Sequence, residues 1–496
     1  MSVSTPPQAD PRRWKALFFV CMAQLMVVLD STIMNIALPS AQHDLGFSDG
    51  SRQWVVTAYA LAFGSLLLFG GRIGDLWGRK RAFVTGVIGF AAASALGGVA
   101  VDTAMLIGAR ALQGVFSALL APSALALISL MFTETKERAK AFGLYGALAG
   151  GGAAIGLLLG GVLTEYLNWR WTLLVNIFFA VVAAVGAVVF VRTPHPARSR
   201  GARLDVPGVL LASTGLVSLV YGFSRAETDG WVSTTTLGLI GASVLLLAAF
   251  LAVERRVKAP LLPLRVLTDR NRAGAYLAVG LAVIGMFGLF LFMTYYLQTV
   301  LGFSPLKSGA AFLPMTLAMV TGSTQIGPRL APRIATRALM APGFLLAAAG
   351  LAWLTQITPD SSYTAVVLPG MLVMGLGLGT AFMPAFSLAA QGVAPQDAGV
   401  ASAMVNTSQQ IGGAIGTALL STIATSATAT YTRQHSGRLH AEALVHGYAT
   451  AFGWAAGILT LAALTAAALI THHPRRKAHP DGQPQHQSSR ALADHT

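Results

Sequence analysis

The sequence predicts an all-α polytopic membrane protein with fourteen transmembrane helices. Three observations carry that expectation. Only 11% of the residues are charged and 54% are hydrophobic, whereas a soluble domain carries about 25% charged residues. The apolar residues form charge-free blocks of about 20, the length that crosses a hydrocarbon core about 30 Å thick. The basic residues between the blocks gather in alternate loops.

Taken in order, the blocks place helices at 14–38, 53–71, 82–100, 104–131, 139–163 and 171–191. A pair follows at 207–223 and 236–253, and then 273–297, 308–327, 338–358, 364–390, 399–427 and 448–471. The first block is too long for a cleavable signal and lacks a small-x-small site near its end, so it is expected to remain as a span. It contains Cys21, the single cysteine, which has no intrachain disulfide partner and reads as a small apolar core residue.

One set of loops holds Arg12, Arg13 and Lys15; Arg79, Lys80 and Arg81; Lys136, Arg138 and Lys140; and Arg192, Arg198, Arg200 and Arg203. The same set continues with Arg255, Arg256, Lys258, Arg265, Arg270 and Arg272, then Arg329, Arg333 and Arg337, then Arg475, Arg476 and Lys477. The opposite loops carry scattered basics such as Arg52, Arg170, Arg225, Lys307, Arg433 and Arg438. Lys and Arg mark the cytoplasmic side, so the even count puts both termini in the cytoplasm and the chain in the cytoplasmic (inner) membrane. The net charge of +15 is then a topology signal, and no nucleic acid partner is expected. Residues 1–13 read as a cytoplasmic N-terminus. The His-, Pro-, Gln- and Ser-rich stretch 472–496 reads as a disordered cytoplasmic tail, its histidines too irregularly spaced for a metal site.

An internal echo divides the spans. Gly71 to Arg81 reads GRIGDLWGRKR, and Gly327 to Arg337 reads GPRLAPRIATR; the second copy keeps the glycine-started basic turn and loses the acid. Repeated halves around a midplane site are a common plan of secondary transporters. The expected domains are six-helix halves at 14–191 and 273–471, with linkers and an inserted pair over 192–272, giving six plus two plus six.

Asp30 and Arg110 are the formal charges well inside the spans. At 1.5 Å per residue they lie about 12 Å and about 10 Å from the same membrane face. Two readings fit: a structural ion pair that locks two helices, or a proton site. Burial favours a neutral acid and a nearby cation favours its ionised form, so opening and closing of a cavity changes the balance. Other in-span polar residues are Gln113, Asn176, Tyr295, Gln298, Gln325, Asn406, Gln409 and Gln410. Interhelical hydrogen bonds account for most such residues.

Several stretches resemble one family, the major facilitator superfamily, and within it the fourteen-span drug:proton antiporters of the EmrB/QacA type. Leu29-Asp30-Ser31-Thr32-Ile33-Met34-Asn35-Ile36-Ala37-Leu38-Pro39 resembles that group's L-D-x-T-I-V-N-V-A-L-P signature. Gly71 to Lys80 is similar to the superfamily's G-x-L-A-D-R-x-G-R-K loop, with Leu76 where arginine is common. Arg110-Ala111-Leu112-Gln113-Gly114 is similar to R-x-x-Q-G; Asn168 to Trp171 and Tyr296 to Pro305 add further matches. Two departures stand out: Leu157 and Phe178 occupy positions where the family usually has proline.

The resemblance implies a major facilitator fold and a transporter, not an enzyme. It implies no cofactor and no metal, with the proton gradient as driving force. The implied partners are protons, the lipid bilayer and a small amphipathic substrate, handled by a monomer. Asp30 is then expected to couple protons with Arg110 in support. The expected substrate cavity comprises Met26, Met34, Asn35, Gln113, Tyr295, Gln298, Asn406, Gln409 and Gln410. Gly71, Gly74, Asp75, Gly78, Arg79 and Lys80 are expected to form a conformational gate, with the alternative of a merely charged interfacial turn. Gly146, Gly150, Gly156, Gly160 and Gly161 match the antiporter motif and are expected to pack helices tightly, with a role in gating leak as the alternative. The expected function is proton-coupled efflux of amphipathic drugs or antibiotics by alternating access. The alternative is a dedicated exporter of one native metabolite or antibiotic, or another solute transporter of the superfamily.

Overall fold

The computed structural model describes residues 12–132, 134–191, 205–257, 260–262, 264–330, 333–390, 398–435 and 440–471, and its regular structure there is helical. The first series comprises α1 (Arg13–Leu45), α2 (Asp49–Trp77), α3 (Arg79–Gly98), α4 (Thr103–Met131), α5 (Thr135–Tyr166) and α6 (Trp171–Phe190). A pair follows, α7 (Val206–Asp229) and α8 (Thr234–Glu254). After a short α9 (Arg265–Thr268) come α10 (Arg270–Tyr295), a π-helical turn (Tyr296–Val300), α11 (Pro305–Ala311), α12 (Leu313–Thr321), a second π turn (Gly322–Ile326) and α13 (Gly327–Leu330). The chain continues with α14 (Thr336–Leu354), a third π turn (Tyr363–Val367), α15 (Leu368–Ala390), α16 (Ala398–Gln434) and α17 (His440–Leu469). The expected tail, 472–496, and residues 1–11 of the expected N-terminus lie outside the described residues.

Side chains start many of these helices. Ser48, Asp102, Asp205, Ser233, Asp269 and Ser304 each accept a hydrogen bond from a backbone N–H of the first turn that follows, satisfying donors that have no partner within the helix.

Among the described residues, twelve helices are long and apolar enough to cross a membrane, which makes this a multi-pass membrane protein but leaves the expected count of fourteen unsupported. The expected spans 139–163 and 308–327 fall short for different reasons. α5 is one continuous helix, Thr135–Tyr166, but its side chains are described without a gap only over Ala154–Tyr166. The region 305–330 is broken into α11, α12, a π turn and α13, with Pro314 in the first turn of α12, where its missing N–H interrupts the helical ladder.

A second correction concerns Gly71 to Lys80. The resemblance implies a loop over these residues, whereas α2 runs through Trp77 and the turn is Gly78 alone. Gly78 takes φ 103°, open to glycine and strained for a side chain. Gly74 is helical, and its bare backbone faces Ser123 Oγ of α4, which a Cβ would approach to 3.1 Å.

Helices pack closely through small residues, as in membranes generally. α1 packs on α5 and α6, α2 on α4, and α3 on α4 and α6; in the later series α14 packs on α15 and α17, and α10 on α16 and α17. Between the two series α2 crosses α16 and α5 crosses α11, while α7 packs against α8, α2 and α16. An apolar cluster of Ala60, Leu61, Leu216, Val220, Ala414 and Ala418 fills that last seam.

Candidate functional site

α1 carries Asp30 into the middle of the first helix series, and four other helices converge on it. From α4, Arg110 Nη1 donates to Asp30 Oδ2 at 2.5 Å, and Gln113 Nε2 donates to Oδ1 at 2.9 Å. From α6, Asn176 Nδ2 donates to the same Oδ1 at 2.7 Å. α3 supplies Ser94, whose hydroxyl accepts from Gln113 Nε2 at 2.7 Å. α2 supplies the Val55 carbonyl, which accepts from Arg110 Nε at 3.1 Å, and the Tyr59 ring, 4.5 Å from the guanidinium.

Asp30 is 0% and Arg110 1% exposed. Sealed charges at this depth persist only where both are paired and their remaining hydrogen-bonding capacity is filled, and here every contact does that work. Arg110 Nη1 also donates to Gln113 Oε1 at 2.7 Å, so one glutamine amide orients both ions. The rise-per-residue estimate brought Asp30 and Arg110 level, and they meet. Asn176 stood out in the sequence as polar at depth, yet not as a ligand of Asp30; its position about 8 Å into α6 gives the same level by the same rise. Ser94 and Tyr59 carry no such signal, since hydroxyls and aromatic rings are common in spans.

The antiporter-motif glycines press against α1 around Asp30. A Cβ at Gly156 would collide with Thr32 Oγ1, and one at Gly160 would lie 2.9 Å from the Ile33 carbonyl. Gly161 faces α11, where a Cβ would lie 2.6 Å from Leu306 Cα. Leu157, in place of the family's proline, is fully buried, and its carbonyl packs against Gly309. Phe178, the other departure, is exposed on the outside of the bundle. Gly146 and Gly150 lie on α5 in a stretch whose side-chain environment is outside the described residues.

The residues expected to line a cavity divide into four groups. Met26 and Met34 are fully buried, and Asn35 turns its amide to the Ser31 carbonyl at 3.3 Å. Gln113 belongs to the Asp30 network. Tyr295 and Gln298 stand on the seam between the two helix series, at the end of the bundle where α1 finishes and α2 begins. Tyr295 donates from its hydroxyl to Gln42 Oε1 at 2.5 Å, and its ring lies 4.3 Å from the Arg52 guanidinium. Gln298, on the first π turn, donates to the Ile36 carbonyl at 2.9 Å. Glu165 of α5 reinforces the same end, accepting from the Leu306 N–H of α11 at 2.9 Å. Asn406, Gln409 and Gln410 are half-buried on α16, with the Cβ of Gln410 close against Gly64 of α2.

In the expected gate, Lys80 Nζ donates to the Val188 carbonyl of α6 at 2.9 Å, and Arg79 Nη1 reaches the Ala126 carbonyl of α4 at 3.5 Å. Lys80 thereby sits at the C-terminal turn of α6, where the helix dipole favours positive charge. Gly71 lies against Pro122 of α4; the Asp75 side chain is outside the described residues.

The model of the Major Facilitator Superfamily matches residues 20–417. The chain belongs to that superfamily. As a major facilitator protein it is a transporter of small molecules, not an enzyme. It is 53% identical over 465 residues to a puromycin resistance protein of Streptomyces alboniger, covering 93% of this chain and 92% of that one. It is 38% identical over 414 residues to a cephamycin export protein of Amycolatopsis lactamdurans, covering 83% and 85%. Among solved structures, an inward-facing, unoccupied bacterial homologue of the human lysosomal transporter Spinster matches with a TM-score of 0.64 at 17% identity, over 92% of this major facilitator chain and 98% of that one.

Proposed function

We propose that this protein exports amphipathic drugs or antibiotics across the cytoplasmic membrane, exchanging them for protons by alternating access. On this reading it is a fourteen-span antiporter of the EmrB/QacA type, a monomer with both termini in the cytoplasm. Its six-helix halves cover 14–191 and 273–471, and α7 and α8 are the inserted pair. The reciprocal crossings support that repeat: the second helix of the first series meets the fifth of the last, and the fifth meets the second of the last.

The observation that carries the reading is that α1 holds both the buried Asp30 and two seam contacts to the other helix series. A proton arriving from outside neutralises Asp30 and cancels its attraction to Arg110. The grip of α4 and α6 on α1 weakens, and the Ile36 and Gln42 contacts, about 9 Å and about 18 Å further along the same helix, release the outer seam. The drug leaves outward. The outer seam closes again around the neutral acid, and loss of its proton to the cytoplasm then restores the pair. With Asp30 the one acid well inside the described spans, few protons move per cycle, and neutral or singly charged substrates are favoured. Gly71, Gly74, Asp75, Gly78, Arg79 and Lys80 act at the cytoplasmic end as the gate, and Asn406, Gln409 and Gln410 face the cavity.

A narrower reading, export of one native antibiotic, is favoured by the 53% identity to a puromycin resistance protein. Labelled puromycin in everted vesicles tests the shared claim. The proposal expects accumulation while the proton gradient stands and loss of accumulation with a protonophore; accumulation indifferent to the protonophore contradicts it. A panel of unrelated antibiotics in a tolerance assay then separates broad from dedicated export.

A further inference from the structure

Two buried acids have no part in the transport cycle proposed above. Asp205 caps α7 and Glu254 ends α8, at the end of the bundle where α1 begins, and they are 4% and 3% exposed. Each uses one oxygen on the backbone: Asp205 Oδ1 accepts from Gly208 N–H at 2.9 Å, and Glu254 Oε2 accepts from Leu262 N–H at 3.0 Å. The other two oxygens, Asp205 Oδ2 and Glu254 Oε1, are buried without a hydrogen-bond partner. They nevertheless converge. The carboxyl groups lie within hydrogen-bonding reach of each other, and a Cβ added to Gly208 would stand 2.5 Å from Asp205 Oδ2 and 2.9 Å from Glu254 Oε1.

Among the described residues no cation pairs with either acid. Arg225 pairs with Asp229 at the far end of α7, and Arg255 and Arg256, just after Glu254, are exposed. α9 and α10 bring Arg265, Asp269 and Arg272, of which Arg272 lies 3.8 Å from Asp269 and bonds the Arg265 carbonyl. α2 brings Arg52, engaged with Tyr295, and Arg72. α16 brings Arg433, bonded to its own helix at Ala429 and Thr430. Arg203 and Lys258 lie outside the described residues. Two ionised carboxylates this close and this dry repel each other, and a single proton between them removes the conflict. It also turns two orphaned acceptors into a donor and an acceptor.

We propose that Asp205 and Glu254 share one proton and form a second proton-holding site, distinct from the Asp30 network, that locks the base of α7 and α8 to the segment entering α10. The lock works through Glu254 Oε2, which holds the Leu262 amide while Leu261 and Leu262 are buried beside it. When the shared proton leaves, the two anions separate and the Leu262 amide loses its acceptor. The site rests on its own geometry and stands whether or not the chain exports drugs.

Infrared spectroscopy of the full chain in lipid nanodiscs reads the proton directly, in an Asp30→Asn background that removes the acid of the other network. A carbonyl band of a neutral carboxylic acid is expected, shifted in Glu254→Gln and in Asp205→Asn, both of which keep hydrogen-bonding capacity, and lost when the two are combined. Asp205→Asn also keeps the cap of α7, since asparagine caps as well as aspartate. Gly208→Ala, which drives a methyl group between the oxygens, is expected to shift or abolish the same band. Hydrogen exchange supplies the second readout. Protection of Leu262 should fall with rising pH as the band disappears, beyond the rise of a reference amide, and should persist in Glu254→Gln. A band at an unmoved frequency in Asp205→Asn overturns the shared proton. Leu262 protection that stays level while the band vanishes overturns the lock.

Discussion

Gln298, on the π turn after α10, donates to the main-chain carbonyl of Ile36 in α1 at 2.9 Å, so the helix carrying Asp30 is bonded directly to the other helix series. Polar groups on π turns often mark functional sites, and here the turn brings a glutamine across the seam rather than into a cavity.

Removing seam contacts should therefore favour the open outer face. A hydrogen bond of this kind contributes about 1 kcal/mol net, so Gln298→Ala or Tyr295→Phe is expected to shift the population toward the outward-open form by about fivefold. Spin labels at the exposed positions Tyr166 and Lys307 report the distance across the α5 and α11 end. An unchanged distance distribution in both variants would remove these residues from the gate.

The buried ion pair makes an asymmetric prediction. Arg110→Gln leaves Asp30 buried without its cation and should cost about 3–5 kcal/mol, seen as a lower thermal unfolding midpoint in detergent. Adding Asp30→Asn to that variant should recover most of the loss, because no uncompensated charge then remains. A double variant no more stable than Arg110→Gln alone contradicts the pairing as the source of the cost.

Close packing of α5 on α1 is testable by adding one methyl group. In Gly160→Ala the new Cβ meets the Ile33 carbonyl, backbone that has little room to give, and overpacking of this kind costs about 1–3 kcal/mol. Gly108→Ala, with nothing within 4 Å, should be neutral or slightly stabilising through its better helix propensity. Equal midpoints for the two variants would show that α1 and α5 are not in tight contact.

Much of this was legible because charge and apolar length are one-dimensional signals. Asp30 and Arg110 are conspicuous charges in apolar blocks, and a fixed rise per residue sets them level before any fold is known. What could not be read was partnership. The sequence marks Tyr295, Gln298 and Gln113 as polar at depth, but only the packing directs the first two to Gln42 and Ile36 and the third to Asp30. Gly74 and Gly78 look alike in the motif, yet one is a helical contact and the other a turn. The break over 305–330 was hidden because its prolines stand in an apolar run of span length. Asp205 and Glu254 carry no such signal, because burial at a helix end leaves no mark in composition.

The central claim is that Asp30 couples drug movement to a proton. The most direct measurement is drug-evoked proton release from everted vesicles carrying the wild-type chain or Asp30→Asn, with correct folding checked by thermal unfolding. Wild type should release protons when puromycin is added, and Asp30→Asn should fold but release none. Undiminished proton release from the folded Asp30→Asn protein would contradict the account.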